Sequence, residues 1–109
     1  MSTNYGWKQF EREAARLFGG RRFPANSGAA IDFESAGFIG QCKLVKTLSL
    51  EALTQLAEQA AQLGIPRNKT GVVCVKVRRG RGRGSPMLVV CTAQMWEQLN
   101  GTATLSDLS

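Results

Sequence analysis

Three side chains of complementary chemistry fall close together in this chain: the carboxylate of Asp32, the amide of Gln41 and the ammonium of Lys43. Asp32 sits in Ile31-Asp32-Phe33, the other two in Phe38-Ile39-Gly40-Gln41-Cys42-Lys43, and Glu34-Ser35-Ala36-Gly37 between them reads as the turn of a β-hairpin. Strand side chains alternate with period two, so Ile39, Gln41, Lys43 and Val45 share one face while Phe38, Cys42 and Leu44 share the other. An even-length connection pairs Asp32 with an odd-numbered residue and brings it to Gln41 and Lys43; an odd-length one separates them. An acid, a neutral oxygen ligand and a lysine converging on one point suit metal-dependent hydrolysis of a phosphodiester. The plainer alternative makes Asp32 a turn-adjacent surface acid and Gln41 with Lys43 the wet face of an antiparallel pair.

The hairpin needs a scaffold. Trp7, Phe10, Ala14, Leu17 and Phe18 recur at helical spacing from Tyr5 to Phe18, and Gly19-Gly20 stops that helix. Glu11 and Glu13 on it are two residues apart, about 200° around the axis, so only one can face the hairpin. Glu11 borders the apolar stripe and is the better candidate; Glu13 is expected on the solvent side, paired with Lys8 or Arg16. Arg21 to Phe23 forms a short strand before Pro24, and Ala25-Asn26-Ser27-Gly28 is a turn. Ser49 N-caps a second helix with Leu50, Leu53, Leu56 and Ala60 as its core stripe, ended by Gly64 and Pro66. The runs Gly71 to Val77 and Met87 to Cys91 read as strands covered on both faces. Thr92 caps a third helix, Ala93 to Leu99, before a polar tail over 101–109. The order α-β-β-β-α-β-β-α implies one α/β domain over 1–100, a mixed sheet flanked by helices. The passage from Phe38 to Val77 is long enough for a crossover between parallel strands, which puts Lys43 on a central strand.

At 109 residues the chain is short for an enzyme acting alone, so a homodimer is expected. No apolar run approaches the ~20 residues of a membrane span, and Met1 to Gly20 has no signal-peptide core. A cytoplasmic protein with no membrane partner is expected. Cys42, Cys74 and Cys91 are odd in number, lack CxxC spacing and lie in apolar runs, as buried reduced thiols do. A net charge of +6 and a pI near 9.8 favour a polyanionic partner such as nucleic acid. The chain has no histidine, which excludes Ser-His-Asp triads, histidine-ligated zinc and histidine-base nucleases. Carboxylates, lysine and metal ions remain as the chemical tools.

Taken together, the residues from Phe10 to Ala61 resemble the PD-(D/E)xK nuclease superfamily. Glu11 is similar to the first-helix acid of archaeal-type Holliday junction resolvases, and Arg22, Ser27-Gly28 and Asp32 to their arginine, serine-glycine turn and metal-binding aspartate. Gln41-Cys42-Lys43, followed by Lys46 and the Leu50 to Ala60 helix, is more similar to the catalytic domain of Mrr-like restriction endonucleases, where glutamine commonly replaces the second acid. The resemblance implies a restriction-endonuclease-like fold and a centre in which Asp32, Gln41, the Cys42 backbone carbonyl and Glu11 hold Mg²⁺, with Mn²⁺ as a substitute. It implies that Lys43 orients or helps deprotonate the attacking water and that Ser27 holds a scissile phosphate or a metal-bound water. Where the resolvases carry a glutamate, Gln41 brings an oxygen but no charge, so weaker metal affinity follows.

Lys76, Arg78, Arg79, Arg81 and Arg83 concentrate five of the fourteen Lys and Arg in a glycine-rich segment joining the two late strands. This arm is expected to clamp DNA phosphates without selecting bases, together with Arg22, Asn26 and Lys46; the alternative is a mobile surface hairpin. The leading expectation is a Mg²⁺-dependent endonuclease for branched or duplex DNA, most specifically a Holliday junction resolvase serving recombination and repair. A catalytically silent DNA-binding module, or a nuclease subunit of a larger complex, is the alternative that Gln41 motivates.

Overall fold

In the computed structural model, which describes residues 3–22, 31–79 and 84–100, helix α1 spans Thr3–Leu17. Its buried face carries Phe10, Ala14 and Ala15, with Glu11 at the margin. The end is a Schellman cap: Gly19 N–H donates to the Arg16 carbonyl (3.1 Å) and Gly20 N–H to the Ala15 carbonyl (2.8 Å). Gly19 takes the left-handed conformation this cap needs, φ +70°.

The chain then enters a five-stranded sheet in sequential order: β1 (Arg21–Arg22), β2 (Phe33–Glu34), β3 (Phe38–Val45), β4 (Thr70–Val77) and β5 (Leu88–Val90). All neighbours are antiparallel except β3 and β4, which run parallel in register from Phe38↔Thr70 to Val45↔Val77. Helix α2 (Leu50–Gly64) supplies the connection that parallel strands require. Helix α3 (Ala93–Asn100) follows β5, its Met95 N–H received by the Thr92 hydroxyl at 3.2 Å. The expected element order and mixed sheet are therefore present, with Lys43 on the central strand.

Period-two alternation divides the core between two faces. Phe33, Cys42, Val72 and Cys74 pack with Phe10, Ala14 and Ala15 of α1. Val73 and Val75 pack with Ala60 of α2, joined by Val45, Leu48, Leu53 and Leu56. Helix α2 lies close on β4, because a Cβ at Gly71 would collide with the Ala60 carbonyl. Ser49 caps α2 by accepting from Ala52 N–H at 3.1 Å, and Leu48 and Leu53 flank that cap at the two positions of a hydrophobic staple.

Four expectations are corrected. Leu50, assigned to the core stripe, is 79 % exposed: it is the first residue of α2, ahead of the stretch that meets the sheet, and the staple leaves it outside. The run from Met87 to Cys91 is not covered on both faces, because β5 is an edge strand with Leu88 and Val89 exposed. Cys91, placed among the buried thiols, is half-buried at that strand's end, whereas Cys42 and Cys74 are buried. Glu13 pairs across space with Lys76 (2.8 Å) rather than with Lys8 or Arg16, and Lys76 also lies over the Phe10 ring. Among the described residues, no helix is long and apolar enough to cross a membrane.

Candidate active site

The register of β2 and β3 fixes where Asp32 can reach. Phe33 faces Gly40, and the Asp32 N–H also donates to the Gly40 carbonyl at 2.8 Å. Two residues of the incoming strand thus oppose one on β3, the count of a β-bulge. The loop parity that a common face demanded is present, since Phe33↔Gly40 would set Asp32 across from Gln41 in a regular ladder. The bulge re-aims the side chain. The Asp32 carboxylate turns to the edge of β3 just beyond the end of β2, where its Oδ2 accepts the Cys42 N–H at 2.8 Å.

That edge gathers groups from both faces of the sheet. From the α1 side comes Glu11, 6 % exposed, whose carboxyl lies within hydrogen-bonding reach of the Asp32 carboxyl. Arg22 Nε donates to Glu11 Oε1 at 2.6 Å and holds it in place. Arg22 pairs with Phe33 on the neighbouring strand, so β1 supplies the guanidinium one residue from Asp32. From the other face comes the half-buried Lys43, near enough to act electrostatically on Asp32; Gln41, two residues before it on the same face of β3, is buried. In a strand the N–H and C=O of one residue point to the same edge. The Cys42 carbonyl therefore shares the edge at which its N–H meets Asp32.

The electrostatics follow from this crowding. Burial pushes the Asp32 carboxyl above the ordinary carboxylate value, and the charge and hydrogen bond of Glu11 push it further. The Cys42 N–H and the Lys43 ammonium pull the other way without cancelling the rise. Two carboxyls held in contact are relieved by a shared proton or by a cation. The donors at this edge are two carboxylates and a backbone carbonyl, all hard oxygens, which fit Mg²⁺ or Mn²⁺ better than a soft metal. Among the described residues no group of three or more His, Cys, Asp or Glu side chains is disposed to hold a metal. Two carboxylates suffice for Mg²⁺, which keeps much of its water and shares substrate phosphates.

Of the expected site residues, the structure brings Glu11, Asp32 and Lys43 together at the Cys42 edge, with Gln41 next along β3. Arg22, expected at the DNA, makes its contact with Glu11. Lys46, Arg78 and Arg79 are exposed at the carboxyl ends of β3 and β4, where Arg78 N–H donates to the Val45 carbonyl at 2.5 Å. Ser27, Asn26, Arg81 and Arg83 lie outside the described residues. Two contributions were not anticipated: the Cys42 N–H as the donor that orients Asp32, and Arg22 as the partner of Glu11. The first was accessible from strand parity, since even-numbered residues of β3 direct their backbone groups toward β2; the second had no signal. Arg22 also borders an open cleft of about 850 Å³ between Gly19, Ser35 and Lys69, where Lys69 pairs with Glu34. Comparison with protein-family models, curated proteins and solved structures finds no match to this chain.

Proposed function

We propose that the protein is a Mg²⁺-dependent DNA endonuclease that works as a homodimer, delivering paired cuts to branched DNA. One observation carries the reading: the Asp32 and Glu11 carboxyls lie within interaction distance of each other and of the Lys43 ammonium at the edge of β3, each oriented by its own donor. A buried and a half-buried carboxyl held close together are costly for a fold, and a divalent cation with a phosphodiester accounts for them. Mg²⁺, when bound, neutralises charge on phosphate oxygens and makes water a better nucleophile. Asp32, Glu11 and the Cys42 carbonyl would hold it, with Gln41 adding a neutral oxygen. Arg22 and the Cys42 N–H fix the two carboxyls, so little reorganisation is needed when substrate arrives. Lys43 orients the attacking water and offsets charge developing on the phosphate. Lys46, Arg78 and Arg79 hold flanking phosphates without reading sequence.

The test is incubation of the protein with a four-way junction and with a linear duplex of the same arms, in Mg²⁺, Mn²⁺ or EDTA. Symmetric junction cuts that need the metal and vanish in Lys43→Ala and Asp32→Asn are expected. Metal-independent cleavage would sink the mechanism. Salt-sensitive binding with no cut in any divalent metal would favour the silent DNA-binding module, which Gln41 motivates.

A further inference from the structure

Leu50 is the most exposed of the large apolar side chains among the described residues, at 79 %, and nothing in the fold requires it there. Ser49 makes the helix cap, and Leu48 with Leu53 packs the α2 entrance against the sheet. Residue 50 could be polar with no loss of packing. Exposed cations lie at the same end of the sheet: Lys46 on the segment leading into α2, and Arg78 and Arg79 where β4 ends beside Val45, with one exposed acid, Glu51, next to Leu50. This is also the end of β3 toward which Lys43 lies. An exposed apolar side chain at the same end of the fold as these cations has the chemistry of a DNA wedge, which unstacks a base step while nearby cations grip the backbone.

We propose that Leu50 is such a wedge, entering the DNA at its branch point while Lys46, Arg78 and Arg79 bind the phosphates on either side. The inference rests on the reading of the site as a DNA nuclease and adds the source of its preference for branched over continuous duplex. A branch point has already lost stacking, so inserting leucine there costs less than in an intact helix.

The experiment measures binding in Ca²⁺ without Mg²⁺, by anisotropy, to a four-way junction and to the matched linear duplex. A 2-aminopurine at the branch reports unstacking. Wild type should favour the junction and raise the 2-aminopurine fluorescence. Leu50→Ala should lower the junction-to-duplex affinity ratio about tenfold, abolish the fluorescence rise and keep the melting temperature, while Leu50→Met restores both signals. Lys46→Ala should instead weaken junction and duplex alike and flatten the salt dependence. Junction selectivity and fluorescence unchanged in Leu50→Ala, with DNA still bound and cut by the wild type, would overturn the wedge alone. No DNA binding by the wild type would overturn the nuclease reading and the wedge with it. A homodimer that sedimentation shows to dissociate in Leu50→Ala, with DNA selectivity retained, would assign the residue to self-association and overturn the proposal.

Discussion

Replacing Asp32 by asparagine should make the metal-free protein more stable at neutral pH. The amide keeps an oxygen to accept the Cys42 N–H and removes one of two charges in contact with each other. Two unit charges about 4 Å apart repel by about 4 kcal/mol at an effective dielectric of ~20. Asp32 is only half-buried, Lys43 opposes the repulsion and Arg22 draws on Glu11, so after solvent screening the gain should be about 1–2 kcal/mol. For a domain of this size that corresponds to roughly 5–10 °C in Tm. The sign of the pH dependence follows from the raised Asp32 carboxyl. A folded-state value above the ordinary 3.8 makes its contribution most favourable below that value and lost as pH rises through the raised one. The advantage of Asp32→Asn should therefore be largest at pH 7 and shrink toward zero on acidification to the ordinary carboxylate range. Thermal denaturation in EDTA between pH 7 and pH 4, followed by circular dichroism, measures it. Adding Mg²⁺ should raise the wild-type Tm and leave the variant's unchanged. A variant no more stable than wild type at pH 7, or an advantage indifferent to pH, would refute the carboxyl-pair argument.

Other perturbations probe separate parts of the account. Lys43→Ala should cut single-turnover cleavage of a four-way junction by roughly 10²–10³-fold while leaving its affinity in Ca²⁺ within a few-fold; equal losses in both would make Lys43 a binding residue. Gln41→Glu adds a third carboxylate to the edge, so it should lower metal-free stability by about 1 kcal/mol and reduce the Mg²⁺ needed for half-maximal cleavage; a higher Mg²⁺ requirement would remove Gln41 from the site. Gly71→Ala drives a methyl into the Ala60 carbonyl and should cost about 2–3 kcal/mol in urea unfolding, whereas an unchanged midpoint would contradict the close packing of α2 on β4. The Cys42 thiol is pushed far up by its hydrogen bond to Cys74 and by burial, so a thiol reagent should reach half-buried Cys91 first and the other two only in denaturant. Rapid labelling of all three in the native protein would show that core to be open.

The scaffold was legible because its signals are local and repeated. Helical spacing around Phe10 and Ala14, Ser49 as a cap, and β-branched Val72 to Val77 each name an element, and the α2 connection makes β3 and β4 parallel. The parity between Asp32 and Gln41 was readable only as a condition on the turn length, which the Phe33↔Gly40 register then fixes. The bulge was not, because a second residue facing Gly40 depends on how β2 ends against β3, and no spacing encodes that. Glu11 emerged as the inward acid from its place beside the apolar stripe, but its pairing with Arg22 spans eleven residues of sequence and needs β1 to lie beside β2. Leu50 was misassigned for a related reason. Helical periodicity tells which side of α2 is apolar and does not tell where along its length the sheet begins to cover it.

The central claim is that the edge of β3 beyond β2 is a divalent-cation site built from two carboxyls and a backbone carbonyl. Crystals soaked in Mn²⁺ and measured at its absorption edge test it most directly. The account predicts one anomalous peak within roughly 2.0–2.6 Å of Asp32, Glu11 and the Cys42 carbonyl oxygen, absent from crystals of Asp32→Asn. A clean map with no peak there, or with Mn²⁺ held by other residues while the two carboxyls stay in contact, would contradict it.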